Sequence, residues 1–188
     1  MASAEKHQDP ACRPARREPL FTDVLQVAVV VRDLDASLRT YVYDYGIGPW
    51  TLYVFAADAV ADLIKDDQPA KYGMRMAIAH VGAVEWELIE PLDDRSSYAE
   101  FLKSKGEGVH HVQMRVRDYD AAATELRAKG HKVVVGGTFD GVRLGYFSTD
   151  SDLGVITEII DCGASGGGQP AGFYPPCAAP APPTEIRE

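Results

Sequence analysis

The apolar positions of this chain follow the same course twice. Residues 24–31 (VLQVAVVV) and 109–116 (VHHVQMRV) are rich in β-branched and apolar side chains, which predicts a strand in each place. Each predicted strand runs into a pair of aspartates suited to capping a helix, and a glycine follows where that helix would end. The candidate caps are Asp33 or Asp35 and Asp118 or Asp120, and the glycines are Gly46 and Gly130.

Direct comparison of the two copies reveals an internal repeat. Residues 26–36 align with residues 111–121 at an offset of 85, and six of these eleven positions are identical. Residues 84–90 (VEWELIE) align with residues 155–161 (VITEIID) at the shorter offset of 71. The difference of 14 residues predicts an insertion in the first half, for which residues 56–70 (AADAVADLIKDDQPA) are the best candidate.

Each half is predicted to fold as a βαβββ module, so the expected fold class is α+β with two tandem modules. The predicted strands are 24–31, 50–55, 74–80 and 84–90 in the first half, and 109–116, 132–135, 142–148 and 155–160 in the second. The predicted divisions are an N-terminal lead (1–20), the first module (21–95), a linking helix (96–107), the second module (108–162) and a tail rich in Gly, Pro and Ala (163–188). We expect a disordered lead and a tail that is disordered or strapped onto the modules.

Ligand-type residues occupy matching places in the two halves. Because neighbouring strand residues point to opposite faces, the apolar face of each first strand packs on its helix, and the other face begins with Gln26 or His111. Glu87 and Glu158 occupy matching places in the last strands, between apolar neighbours where an unpaired carboxylate is costly to bury. Pseudo-twofold symmetry would bring the four strands around one cavity. Two carboxylates, an imidazole and an amide oxygen suit a divalent ion that keeps open positions for water or substrate.

Composition narrows the classes of partner. Hydrophobic residues make up 46% of the 188 residues, enough for a real core. The net charge of −9 and the pI of about 5.0 oppose contact with phosphate backbones, so no nucleic-acid partner is expected. No stretch approaches the roughly 18–20 apolar residues that span a bilayer, so no membrane partner is expected either. The odd number of cysteines, without CxxC spacing, predicts no disulfide framework and a cytoplasmic location.

Two motifs carry a resemblance to a known superfamily. Residues 87–92 (ELIEPL) and 106–112 (GEGVHHV) resemble the vicinal oxygen chelate superfamily, which includes glyoxalase I, methylmalonyl-CoA epimerase, extradiol dioxygenases and bleomycin-resistance proteins. The motifs are most similar to those of the epimerase branch, and the resemblance covers residues 25–160. It implies that the two modules form an open, cupped barrel around one metal site. It also implies a homodimer, since members of the superfamily are commonly dimers.

The resemblance implies that the metal ligands are Gln26, Glu87, His111 and Glu158, a set that suits Zn, Co, Ni or Mn. The ligand is expected to be His111 rather than His110, because His111 lies at the place that matches Gln26. Epimerases usually carry His at the place of Gln26, whereas the combination Gln/Glu/His/Glu is similar to that of zinc-type glyoxalase I. An iron-dependent extradiol dioxygenase would need a second His, and antibiotic-sequestering relatives generally lack the full ligand set.

The same resemblance implies metal-assisted enolisation of a carbonyl substrate. Glu158 is the first candidate for the base that takes the proton next to the carbonyl, and Glu87 is the second. The candidates for substrate binding are Gln113, His80 and Arg143. The carboxylate that serves as a base in epimerases has no counterpart in residues 71–75 (KYGMR). We predict an isomerase or epimerase acting on an acyl-CoA or similar activated carbonyl compound; the alternatives are a glyoxalase-type lyase, another tailoring enzyme or a non-catalytic binding protein.

Overall fold

The two copies of the repeat form the two halves of one eleven-stranded mixed sheet. The computed structural model describes residues 18–57, 61–139, 141–161 and 170–176. The first half contains β1 (Val24–Val30), α1 (Leu34–Tyr43), β2 (Trp50–Phe55), β3 (Ala61–Lys65), β4 (Gln68–Pro69), β5 (Met74–Val81) and β6 (Val84–Pro91). Helix α2 (Ser97–Lys105) leads to the second half, which contains β7 (Gly108–Met114), α3 (Tyr119–Ala128), β8 (Val133–Phe139), β9 (Val142–Phe147), α4 (Asp150–Leu153) and β10 (Ile156–Ile160), and β11 (Gly172–Tyr174) follows.

The strand order places the first and last strands of both halves at the centre of the sheet. The order is β11-β2-β5-β6-β1-β7-β10-β9-β8-β3-β4. Strands β1 and β7 pair antiparallel, and each also pairs in parallel with the last strand of its own half, β6 or β10. This arrangement confirms the predicted α+β fold with two modules in an open sheet. It also brings the four strands that carry the candidate ligands side by side.

Both helices of the repeat begin at the first aspartate of their pair. The Asp33 side chain accepts a hydrogen bond of 2.8 Å from the backbone N–H of Ala36, and Asp118 accepts one of 2.9 Å from Ala121. Each bond satisfies one of the backbone N–H groups that the start of a helix leaves without a partner. The repeated sequence therefore encodes the same helix start in both halves.

The insertion in the first half forms a hairpin that pairs with the second half. Strand β3 pairs with β4 on one side and with β8 on the other. Leu63 of the hairpin is buried in a core cluster that also contains Tyr72, Tyr98 and Tyr146. Ala and Asp dominate residues 56–70 and are poor strand formers, so the local sequence does not indicate a strand there. The open edge of β8 supplies the hydrogen-bonding partner, and that edge cannot be read from the local sequence.

Part of the tail also joins the sheet. Strand β11 pairs antiparallel with β2, so this part of the tail is strapped on, which is one of the two alternatives that the sequence leaves open. Residues 1–17, 162–169 and 177–188 lie outside the described residues, and they include all three cysteines and most of the predicted lead and tail. In the part of the chain that is described, no helix is long and apolar enough to cross a membrane.

Apolar clusters on the two faces of the sheet separate a helix-covered face from an inner face. Helix α1 packs Leu34 and Leu38 against the first half, and α3 packs Leu126 against the second. The opposite face, here called the inner face, carries a third cluster that includes Ala28 and Val30 of β1. Because strand residues alternate between faces, Gln26 lies on the inner face with Ala28 and Val30.

Candidate metal centre

Four buried polar side chains lie on the inner face, where the central strands run side by side. The exposed fractions of Gln26, Glu87, His111 and Glu158 are 6%, 4%, 0% and 4%. The strand register explains their proximity, because Ala28 of β1 pairs with both Glu87 of β6 and His111 of β7. Glu158 of β10 pairs with Gln113, two residues beyond His111 on β7. The structure thus gathers the four predicted ligands in one buried region.

The Nε2 atom of His111 lies close to both carboxylates of this group. It is 3.4 Å from Oε2 of Glu158 and 3.6 Å from Oε2 of Glu87. It is also buried without a hydrogen-bond partner, which is rare for a polar atom and calls for a bound ion, water or ligand. Two ligand atoms that each bind one ion at about 2.1 Å lie about 3.0–3.6 Å apart, so both observed distances suit groups that share an ion.

The arrangement of this group falls short of a complete metal site. Among the residues that the structure describes, no set of three or more His, Cys, Asp or Glu side chains has the full arrangement of a metal site. The two carboxylates and the imidazole therefore lie close together, but they do not surround a common point as the ligands of a bound ion would. Their donor types and the unpartnered nitrogen fit a divalent ion of the zinc or manganese kind, and the fourth expected donor is an amide oxygen.

The electrostatics of Glu87 also favour a cation at this place. Burial raises the pKa of Glu87 well above its ordinary value, and the carboxylates of Glu158 and Glu85 raise it further. A buried carboxylate in such surroundings takes up a proton unless a positive charge compensates for it. A divalent cation between the two glutamates would supply that compensation.

Hydrogen bonds to neighbouring side chains orient two of the candidate ligands, Gln26 and Glu158. Nε2 of Gln26 donates a hydrogen bond of 3.1 Å to Glu85, and Nε2 of Gln113 donates one of 3.0 Å to Glu158. Because a carboxylate can only accept, Gln26 must present its NH₂ group to Glu85, and its carbonyl oxygen is not used in that bond. Partners of this kind fix the direction of metal-binding groups in metalloproteins.

An aromatic layer lies beneath His111. Its ring is 4.4 Å from the ring of Tyr146, measured between centroids, and the Tyr146 hydroxyl is 3.0 Å from that of Tyr98. Burial raises the pKa of both tyrosines well above the ordinary value, so both keep their protons. His110 completes the layer: its Nδ1 is 3.0 Å from Nδ1 of His111, and burial lowers its pKa to about 3.

The three predicted substrate-binding residues lie in different surroundings. Gln113 is part of the buried group through its bond to Glu158. His80 is exposed near the end of β5, where it pairs across the strands with Glu85. Arg143 binds Asp120 and Asp161 at 2.9 and 3.3 Å and lies over the ring of Tyr119, on the face of β9 opposite to Tyr146. The structure therefore brings only Gln113 together with the candidate ligands.

The sequence interpretation missed the residues that support the group from below. The alternation of β9 places Tyr146 on the inner face with Leu144, so a signal existed, but it is also typical of ordinary core packing. Tyr98 reaches the layer from the first turn of α2, and no local pattern indicates that contact. The contacts of Tyr98 and Tyr146 depend on how elements distant in sequence pack together, and the pattern of a single strand gives no information about that packing.

Comparison with known proteins identifies the family to which this arrangement belongs. The sequence profile of the glyoxalase/bleomycin resistance protein/dioxygenase superfamily matches residues 25–147, which include three of the four candidate ligands. The chain belongs to this superfamily. No curated protein matches the chain in sequence.

Solved structures of methylmalonyl-CoA epimerases have the same fold as this superfamily member. The Mycobacterium tuberculosis epimerase is 27% identical, with a TM-score of 0.56 over 78% of this chain and 91% of its own. An epimerase in complex with methylmalonyl-CoA and NH4⁺ is 26% identical, with a TM-score of 0.57 over 79% of this chain and 99% of its own. A Streptomyces coelicolor epimerase variant in complex with 2-nitronate-propionyl-CoA is also 26% identical, with a TM-score of 0.55 over 77% and 99% of the two chains.

Proposed function

We propose that the protein is a divalent-metal-dependent isomerase or epimerase that enolises an acyl-CoA or similar activated carbonyl compound. The observation that carries the proposal is the buried, unpartnered Nε2 of His111 between the carboxylates of Glu87 and Glu158. The similar solved structures support the substrate class, because two of them are complexes with methylmalonyl-CoA and 2-nitronate-propionyl-CoA. Both ligands are acyl-CoA compounds or analogues of them.

The proposed ligands of the ion are Gln26, Glu87, His111 and Glu158, and Zn, Co, Ni and Mn are the candidate ions. When bound, such an ion would supply a Lewis acid that stabilises the negative charge of an enolate oxygen. The hydrogen bond from Gln26 to Glu85 uses the NH₂ group of the amide, so its carbonyl oxygen remains available as a metal ligand. The bond from Gln113 restrains one oxygen of Glu158.

Glu158 is the proposed base, and Glu87 is the second candidate. The C–H bond next to the substrate carbonyl breaks, its proton passes to a carboxylate oxygen of Glu158, and its electron pair forms the C=C bond of the enolate while the π electrons of the carbonyl move to the oxygen. Return of a proton to the opposite face of the enolate would invert the carbon centre.

A lyase of the glyoxalase type, or another tailoring enzyme, is the second candidate. The sequence of β5 favours it. Met74 and Met76 of this strand pack against the apolar cluster of the inner face, and β5 contains no carboxylate that could serve as a second acid or base. A reaction that inverts a carbon centre is served by a proton donor on each side of the substrate. A reaction with one base needs no carboxylate on β5.

Deuterium exchange tests the proposal directly. The metal-loaded protein is incubated in D₂O with methylmalonyl-CoA and other acyl-CoA thioesters, and incorporation at the α-carbon is followed by mass spectrometry and NMR. We expect exchange with inversion, abolished by Glu158→Gln and unaffected by the exposed control Glu107→Gln. Exchange with a product of altered mass would favour the lyase. Binding of the thioesters without exchange would indicate a non-catalytic binding protein.

Elemental analysis of the purified protein tests the metal separately. Failure to bind any of the four candidate ions would remove the basis of the proposal. The homodimer and the cytoplasmic location expected from the sequence stay predictions, which light scattering and cell fractionation can check.

A further inference from the structure

The bond between His110 and His111 is unusual because neighbouring strand residues normally point to opposite faces. Their Nδ1 atoms are nevertheless 3.0 Å apart. The strand register shows how they meet. Ala28 of β1 pairs with His111 of β7, but the next residue of β1, Val29, pairs with Val109. His110 is therefore the extra residue of a β-bulge, a feature that redirects a side chain and is frequent beside functional sites.

A second bulge occupies the equivalent position of the first half. Val24 pairs with Met114 and Gln26 pairs with Gln113, which leaves Leu25 as the extra residue of β1. The offset of 85 that relates the two halves relates Leu25 to His110. Each proposed metal ligand at the start of a first strand thus directly follows a bulge residue, and only the second half carries a polar side chain there.

The difference between the halves follows the chemistry of the two ligands. An amide has one oxygen and no tautomers, and Glu85 already orients the amide of Gln26. An imidazole has two nitrogens and binds an ion only through a nitrogen that carries no proton. His111 must therefore hold its proton on Nδ1 when Nε2 is a ligand, and that N–H needs an acceptor in a fully buried place.

We propose that His110 is the positioning residue that accepts the Nδ1–H of His111 and so presents the Nε2 lone pair of His111 to the metal. The bulge turns His110 towards His111, and the rings of Tyr98 and Phe101, 4.9 and 5.3 Å away between centroids, hold it in place. His110 takes the part that a carboxylate or a backbone carbonyl usually takes beside a metal-binding histidine. This inference rests on the proposed function, since it requires a metal at Nε2.

A pair of isosteric substitutions tests the inference. In His110→Asn the side-chain oxygen occupies about the place of Nδ1 and can still accept, whereas His110→Leu has nearly the same shape and cannot. Leucine is also the residue at the equivalent bulge of the first half, so the bulge itself tolerates it. We expect the Kd for Zn²⁺, from competition with a chromophoric chelator, to rise about 10–100-fold in His110→Leu and to stay within about threefold in His110→Asn.

The outcomes separate this inference from the proposed function. If the unsubstituted protein binds no Zn²⁺, the metal site itself is overturned. If it binds Zn²⁺ and both variants bind equally well or equally poorly, only the role of His110 is overturned. ¹⁵N NMR of the Zn²⁺-loaded unsubstituted protein gives a measurement that no folding defect affects. We expect a proton on Nδ1 of His111 and none on Nδ1 of His110, and the reverse assignment would contradict the inference.

Discussion

Replacing Glu87 by glutamine is expected to stabilise the metal-free protein while it weakens metal binding. Oε2 of Glu87 and Oε2 of Glu158 lie 3.6 and 3.4 Å from the same nitrogen of His111, so these oxygens cannot be more than about 7 Å apart. At that separation and an effective dielectric constant of about 20, two ionised carboxylates would repel by about 2 kcal/mol. The metal-free protein must either bear this repulsion or protonate Glu87, which costs free energy above its ordinary pKa. The Glu87→Gln substitution would keep the shape of the side chain and remove that cost. We expect the free energy of unfolding to rise by about 2 kcal/mol and Tm by about 4–8 °C near neutral pH.

The dependence of this gain on pH follows from the raised pKa of Glu87. An acid whose pKa is raised on folding makes the folded protein bind more protons than the unfolded chain, and for Glu87 this holds at pH values above its ordinary pKa of 4.5. The stability of the unsubstituted protein therefore falls as pH rises from there, and this contribution is absent from Glu87→Gln. The difference between the two proteins should be large near pH 8 and small near pH 4.5.

Thermal and urea unfolding of chelator-treated protein measure both effects. Glu107→Gln, which neutralises an exposed carboxylate, is the control and should change the free energy of unfolding by less than about 0.5 kcal/mol. Excess Zn²⁺ should stabilise the unsubstituted protein more than Glu87→Gln, because a ligand has been removed. A Glu87→Gln protein that is no more stable than the unsubstituted one near pH 8 would refute the account of the buried carboxylates.

Four further substitutions test the repeat and the packing by urea unfolding. Asp33→Ala and Asp118→Ala should each lose about 1 kcal/mol, since both remove a helix cap of the same geometry; unequal losses would argue against equivalent helix starts. Leu38→Ala, at a fully buried place on α1, should lose about 2–5 kcal/mol, and a loss below about 1 kcal/mol would contradict its burial. Gly145→Ala should lose about 1–3 kcal/mol, because its Cβ would lie 2.6 Å from the Tyr119 hydroxyl, and Tyr119→Phe should recover part of the loss.

The positions of the candidate ligands could be predicted because they depend on strand periodicity and on the repeat. Period two decides the face on which Gln26 and His111 lie, and the two repeat offsets decide which last-strand residues lie beside them. Those are local properties of the sequence, and the buried positions of Glu87 and Glu158 agree with them. The preference for His111 over His110 also comes from the repeat, and the structure places the unpartnered Nε2 on His111.

The supporting contacts could not be predicted because they depend on exceptions to periodicity and on distant partners. A bulge reverses the direction that period two assigns to His110, and nothing in the local sequence marks a bulge there. The hairpin of β3 and β4 exists because β8 offers it an edge, and its own residues are poor strand formers. Arg143 shows the opposite limit: its charge suits an anionic substrate, yet the alternation of β9 directs it to the helix-covered face.

The two short segments at the ends of the strand order cover the longer edges that the repeat would leave open. Without β11 and the β3–β4 hairpin, the sheet would end at β2 and β8, which are six and seven residues long and would offer their backbone groups to other chains. The edges that remain are β4 and β11, only two and three residues long, with Pro69 inside the first and Pro175 directly after the second. Short, proline-interrupted edges are poor templates for intermolecular pairing. The insertion and the tail strand lie outside the repeat. They therefore supply the two short edges of the sheet, which neither copy of the repeat provides.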